Sequence, residues 1–232
     1  MNTTSAPRLV AAEPSLRTVI ITAVPGRRLH GTALPPDQER QTFGQIGALS
    51  HRIHESRPAR PAPAGSGPAV AKAERHLSGA RSHLLTGDAD FVPQLVRHPA
   101  ALPPLEWVET HGDFQLRNIL CSPTETNSSD AFAGVIDLER SEPDPAVRDL
   151  VRLSDAWADR PDLRDAFLAE YGRSLLPAEH ARLVIDAALD AVSGISYGLS
   201  YGDPELVGRG QRTLAQLRAE HSAPFAPADD AT

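Results

Sequence analysis

Lysine and cysteine are almost missing from this 232-residue chain: it has one of each, Lys72 and Cys121. A single cysteine excludes an internal disulfide framework and any zinc site built on two thiolates. A single lysine leaves one candidate for any chemistry that needs an amine. Long apolar runs are missing too. No stretch reaches the roughly 18 apolar residues of a membrane span, and the opening Met1 to Arg8 lacks the apolar core of a signal peptide. A reducing cytoplasm is the expected compartment, with no membrane partner. The net charge of −7 also lacks the basic footprint of a nucleic-acid binder, so no nucleic-acid partner is expected. The length allows a full core in one or two domains.

What is present reads in order along the chain. Residues 1–15 are polar with Pro and Ala and are predicted to be a flexible tail. Leu16 to Thr22 is β-branched and apolar and predicts a buried strand, broken by Val24-Pro25-Gly26. Asp37 to Glu55 repeats Phe43, Ile46, Leu49 and Ile53 at helical spacing behind Pro36. His51 and His54 lie one turn apart there, but no third metal ligand follows at a recognised spacing. Residues 57–68 are a Pro/Ala/Gly linker by composition. Helices are expected over 69–85 and 91–96, then a short strand over 105–110.

Ile119 to Cys121 and Phe132 to Ile136 are short apolar runs around a polar, turn-rich segment, which predicts a β-hairpin. Helical patterns follow over 146–157, 162–171, 177–197 and 204–220, with a flexible tail over 223–232. Gly208 and Gly210 form a Gly-x-Gly in these helices, with no third glycine and no strand before it, so they make no phosphate loop.

One stretch carries chemistry: His111-Gly112-Asp113-Phe114-Gln115-Leu116-Arg117-Asn118, followed nineteen residues later by Asp137 at the end of an apolar strand. Phosphoryl transfer needs an Asp to take or orient the attacking hydroxyl's proton. It also needs an Asn and a second Asp to hold Mg²⁺ on the nucleotide phosphates. Asp113, Asn118 and Asp137 fit those jobs in order, and the hairpin would bring Asn118 close to Asp137. Mg²⁺ needs few protein oxygens, because water and phosphate complete its shell. Arg117 has two readings, a contact to a phosphate oxygen through its planar fork or a pairing with a surface acid. A metal-dependent hydrolase using His111, Asp113 and Asp137 is a rival reading.

The motif resembles the aminoglycoside phosphotransferase family, kinase-like enzymes that phosphorylate hydroxyls of small molecules; the likeness is specific over about residues 105–153. It implies an α+β, mostly α fold: a protein-kinase-like C-terminal lobe over 27–222, with a short β-hairpin at the catalytic site. Residues 16–26 would be a remnant N-lobe strand and hinge, with the backbone of Ala23 and Val24 meeting adenine; an ordinary strand and turn is the alternative there.

The resemblance makes His111 a loop-orienting residue and His54 a packing or hydrogen-bonding one. Asp149 becomes a buttress of the catalytic loop, against a salt bridge to Arg152 as the other reading. Glu139 either supports the metal or is a solvated acid. Gln115 and Arg117 depart from the usual loop, where a second His and a small residue are common. ATP and Mg²⁺ are the implied cofactors, and a small-molecule hydroxyl compound is the implied substrate.

The family's Gly-rich cover and phosphate-anchoring lysine lie upstream of the hinge. No glycine precedes Gly26 and no lysine precedes the hinge. The expectation is therefore a chain lacking most of the N-terminal lobe, with impaired turnover and with self-association through the exposed hinge-side surface. The alternative function is a small-molecule-binding protein without catalysis.

Overall fold

The computed structural model describes residues 5–62, 69–97, 103–122, 132–157 and 159–220. Two compact units divide the chain, one of Met1–Ala62 with Leu105–Leu175, the other of Pro63–Pro104 with Leu176–Thr232. This division is not visible in the sequence pattern. The fold is α+β and mostly α: six helices and seven short strands among the described residues, every strand pair antiparallel.

The first unit begins with a surprise. Strand β1, Leu9–Glu13, lies within the expected tail and pairs with β2, Thr18–Ile21. The β2 segment is the strand foreseen from its β-branched run, but it is exposed rather than buried. Leu9, Val10, Val19, Ile20 and Ile21 all present more than half of their surface to solvent, because β1 and β2 form a two-stranded sheet with no other strand beside it. The backbone of Ala23 and Val24, which follows, makes no hydrogen bond among the described residues.

Strand β3 is only Arg27–Arg28 and extends the predicted hairpin to three strands, in the order β3, β5 (Ile119–Ser122), β6 (Phe132–Val135). Helix α1, Pro36–His54, starts with Pro at its first position, has Asp37 and Glu39 in its first turn, and ends in His51, Arg52 and His54. That arrangement suits the helix dipole at both ends. Its buried face is Phe43, Ile46 and Leu49, about 1.5–3 kcal/mol of apolar burial for each side chain.

Helix α4, Pro161–Tyr171, packs on α1, and an aromatic series joins them: Phe43 edge-on to Trp157, Trp157 to Phe167, Phe167 stacked on Tyr171. Strand β4, Trp107–Thr110, pairs with β7, Glu142–Pro145. The helix expected over 146–157 is instead two 3-10 turns, Ala146–Leu150 and Ser154–Ala156. The first of them carries the functional side chain Asp149.

The second unit is a helical cluster: α2 (Ala69–Ala80), α3 (Asp88–Arg97), α5 (Pro177–Tyr201) and α6 (Pro204–Glu220). By length and hydropathy α5 passes for a membrane-crossing helix. Its apolar face (Ile185, Ala188, Val192, Ile195) is instead buried in this unit, where α5 packs on α2 and α6. Gly210, half of the Gly-x-Gly, does a packing job: a Cβ there would lie 2.5 Å from the Ala191 carbonyl oxygen. Asp88 is fully buried, accepts from the Leu85 amide at 2.8 Å, and pairs with Arg218 at 2.9 Å, which ties α3 to α6. Parts of the expected linker and of the hairpin loop, the C-terminal tail, and the side chain of Lys72 lie outside the described residues.

Candidate active site

The β4–β7 ladder fixes where the His111–Asn118 loop begins. Thr110 stands opposite Glu142, its hydroxyl donates to the Glu142 carbonyl at 2.7 Å, and the Ser141 hydroxyl donates to the Thr110 carbonyl at 2.6 Å. The loop therefore lies against the Asp137–Ser141 segment. Only glycine fits at position 112. Its φ is +78°, and a Cβ would come 2.0 Å from the Arg140 carbonyl oxygen.

His111 is wholly buried and joins the two segments. Its Nε2–H donates to the Ile136 carbonyl at 2.9 Å, and its Nδ1 accepts from the Asp113 amide at 3.3 Å. Those partners require the neutral ring with the proton on Nε2. Both nitrogens are spent on holding the loop, so His111 is an orienting residue. Held this way, it offers no lone pair to a metal, which counts against the hydrolase reading.

Behind the loop sits Asp149, also buried. Its carboxylate accepts from the amides of His111 (2.8 Å) and Gly112 (2.9 Å) and from His54 Nε2 (3.1 Å). The other nitrogen of His54 accepts from the Tyr171 hydroxyl at 2.9 Å. Asp149 therefore buttresses the loop, and its described partners are these amides and His54 rather than Arg152. His51 pairs with Glu55 instead of with His54, so the two histidines do not converge on a metal.

In front of the loop, Asp113 is almost fully buried and receives four side-chain donors. Gln115 and Arg152 donate to Oδ1, while Arg117 (3.3 Å) and Asn118 (3.1 Å) donate to Oδ2. Burial raises the pKa of this carboxyl, but Arg152, then Arg117 and Arg140, together outweigh burial and hold it below the ordinary value. Asp113 is thus an anion at neutral pH, suited to orienting a hydroxyl and taking its proton late. Arg117 sides with an acid in this structure, but the acid is Asp113.

Asn118 closes the loop. Its Nδ2 faces the carbonyl and carboxylate of Asp113, both acceptors, which leaves Oδ1 with no partner among the described residues. Ile136 donates its amide to the Asn118 carbonyl at 3.0 Å, so the β5–β6 register sets Asn118 beside the segment that carries Asp137. Asp137 is exposed, has no described partner, and adopts a left-handed backbone at φ +70°, a conformation that Asp tolerates better than most residues. An amide oxygen and a carboxylate, both unspent, are hard oxygen donors of the kind Mg²⁺ takes. No cluster of three or more His, Cys, Asp or Glu occurs among the described residues, and a two-ligand Mg²⁺ site needs none. Glu139 is exposed in the following 3-10 turn with no described partner. Cys121 is buried in β5, and burial pushes its thiol up against the opposing pull of Arg27.

The family model of the phosphotransferase enzyme family, APH, matches residues 4–183. The chain belongs to this phosphotransferase family. Solved structures agree on the fold. A GDP complex of a mutant aminoglycoside 2'-phosphotransferase-IIIa is 18% identical with a TM-score of 0.70, covering 95% of this chain and 76% of that one. A choline/ethanolamine kinase family protein from Mesorhizobium loti is also 18% identical, with a TM-score of 0.64 over 95% of this chain and 75% of that one. An aminoglycoside phosphotransferase, APH(3'')-Id from Streptomyces rimosus, in complex with ADP and streptomycin, is 20% identical at a TM-score of 0.51, covering 82% and 76%. No curated protein matches the sequence. The kinase-like phosphotransferase fold is therefore shown.

Within this phosphotransferase, the structure adds one site residue that the sequence reading missed. Arg160 and Arg164 pair locally with Asp162 and Asp165. Arg152 instead reaches Asp113. The available signal was its position three residues after Asp149, which puts both side chains on the turn facing the catalytic loop.

Proposed function

We propose that this chain transfers the γ-phosphoryl group of a nucleoside triphosphate, ATP in the simplest case, to a hydroxyl of a small molecule. The observation that carries the reading is the loop itself: an anionic Asp113, an Asn118 oxygen without a partner, and Asp137 held in an unusual backbone conformation beside it. The acceptor oxygen would bond to the γ-phosphorus as the bond to the bridging β,γ-oxygen breaks. The nucleoside diphosphate leaves, and the hydroxyl proton passes to Asp113. Asn118 and Asp137 would hold Mg²⁺, which neutralises charge on the phosphates. Glu139 would support that site from the next turn. Ala23 and Val24, with unspent backbone groups, suit the edge of the nucleotide base. GDP- and ADP-bound relatives support a nucleotide donor.

Two further parts belong to this reading. The free thiol, Cys121, fits a cytoplasmic setting. The exposed apolar β1–β2 hairpin is a surface through which two copies of the chain would pair.

A second reading, small-molecule binding without turnover, has one observation in its favour: four donors already occupy the Asp113 carboxylate. The deciding experiment incubates the chain with γ-labelled ATP, Mg²⁺ and a panel of hydroxylated small molecules, with Asp113→Asn in parallel. Acceptor-dependent phosphate ester that disappears in the variant supports transfer. Nucleotide and acceptor binding with no ester in either protein supports the second reading.

A further inference from the structure

We infer that Arg117 holds two positions in the reaction: on Asp113, where it is seen, until the acceptor arrives, and on the transferred phosphoryl group once the acceptor hydroxyl has taken its place at Oδ2. This rests on the phosphotransferase reading and deepens it, by naming the oxygen of Asp113 that receives the hydroxyl and the side chain that gives way to it.

A carboxylate offers about four lone-pair sites, and Asp113 receives four side-chain donors. An acceptor hydroxyl must displace one of them before it can donate its proton there. Oδ1 is the better held of the two oxygens. Its donors are Gln115, which is buried on the same loop, and Arg152, which is 27% exposed and has a further interaction beyond Asp113. At Oδ2 the donors are Asn118 and Arg117. Asn118 is buried, and its amide nitrogen also donates to the Asp113 carbonyl. Arg117 is 57% exposed, stands at 3.3 Å, and has Asp113 as its one described partner. An ion pair with so exposed a member is weak, because water solvates the guanidinium as soon as it leaves. Arg117 is therefore the donor that yields, and Oδ2 is the oxygen that receives the hydroxyl.

Where Arg117 then goes is set by the reaction rather than by any need of its own. Transfer requires the hydroxyl within about 2.6–3.2 Å of its base and about 3–3.5 Å from the phosphorus it attacks. The γ-phosphorus thus arrives within about 7 Å of Oδ2, beside a guanidinium that has just left that oxygen. Arg117 also directly precedes Asn118 in the 3-10 turn Leu116–Asn118, so its side chain springs from the backbone next to a proposed Mg²⁺ ligand. A long cation at that point meets the oxygens on which charge gathers during transfer, and its planar fork can bind two of them.

Nucleotide binding tests this without knowledge of the acceptor. Calorimetry on the full chain with Mg²⁺ compares ADP with the non-hydrolysable ATP analogue AMP-PNP, and the ratio of the two Kd values reports contacts to the γ-phosphate. Arg117→Gln should weaken AMP-PNP about tenfold and leave ADP within about twofold, and Arg117→Lys should recover part of the loss. Retained ADP binding also shows that the variant is folded. Asp113→Asn removes the competing anion and should tighten AMP-PNP, and much of that gain should vanish when Arg117→Gln is added. No loss of AMP-PNP binding in Arg117→Gln, an equal loss for ADP, or the same gain from Asp113→Asn in both backgrounds overturns the inference. If the wild-type chain binds neither nucleotide, the phosphotransferase reading itself fails, and this inference with it.

Discussion

The two sides of the catalytic loop are held in opposite ways. Behind it, Asp149 grips the backbone of His111 and Gly112 and is itself gripped by His54, which Tyr171 holds in turn. His54, His111, Asp149 and Tyr171 are all buried there, and every contact joins fixed parts of the fold. In front, Asp113 is covered by Gln115, Asn118 and two arginines, and the arginines are partly or largely exposed. The back holds a shape, and the front holds a charge that can be passed to a ligand. A buried carboxylate on backbone amides has no competitor once water is excluded, whereas a solvent-facing guanidinium exchanges partners at small cost.

The largest effect expected from breaking this contrast is at Asp113. Asp113→Asn keeps the size of the side chain but removes the proton acceptor, and phosphoryl transfer should fall on the order of 10²–10⁴-fold. Next comes Asp149→Ala. It leaves two buried amides and a buried imidazole without their acceptor, a loss of about 2–4 kcal/mol that chemical denaturation would measure, with activity lost alongside stability. Gly112→Ala should cost a similar amount, because the methyl group meets the Arg140 carbonyl oxygen at a positive φ.

A smaller effect is expected with pH. The folded pKa of Asp113 lies below the ordinary value, so its contribution to stability is complete above that ordinary value, near pH 4, and is lost as pH falls through the lower folded one. Arg152→Gln should therefore flatten the acid limb of stability below about pH 4 and leave the neutral region alone. Smaller again, Tyr171→Phe removes one hydrogen bond from His54 and should cost about 0.5–1.5 kcal/mol, with kcat nearly unchanged. If it lowered kcat as strongly as Asp113→Asn, the back of the loop would not be the passive frame described.

The front of the site was more legible in the sequence than its support. Asp113, Asn118 and Asp137 stand out because the chemistry demands those residue types at that spacing, and the apolar runs flanking them demanded a hairpin. Helix α1 was legible from its period. The short elements were not. Strand β3 has two residues, and β7 is Glu-Pro-Asp-Pro, where the prolines withhold two amide donors and hide a strand that pairs only with β4.

The segment after β7 has helical spacing, but it folds as two 3-10 turns; Asp149 in the first and Arg152 between the two reach the loop. Periodicity reports burial, and here burial against the loop imitates a helix. The β2 run failed in the opposite direction, since apolar β-branched residues predict burial only where there is something to pack against. The hairpin they form lies open, and Ile20→Ser should leave stability within about 0.5 kcal/mol while lowering any self-association seen by sedimentation.

The central claim is that the His111–Asn118 loop with Asp137 performs phosphoryl transfer to a hydroxyl. The most direct test follows γ-labelled phosphate from ATP into an acceptor, for the wild-type chain and for Asp113→Asn, with Mg²⁺ present and with it chelated. The account predicts a labelled ester that requires the acceptor, Mg²⁺ and Asp113 together. Ester formation that persists at the same rate in Asp113→Asn, or without Mg²⁺, would contradict it.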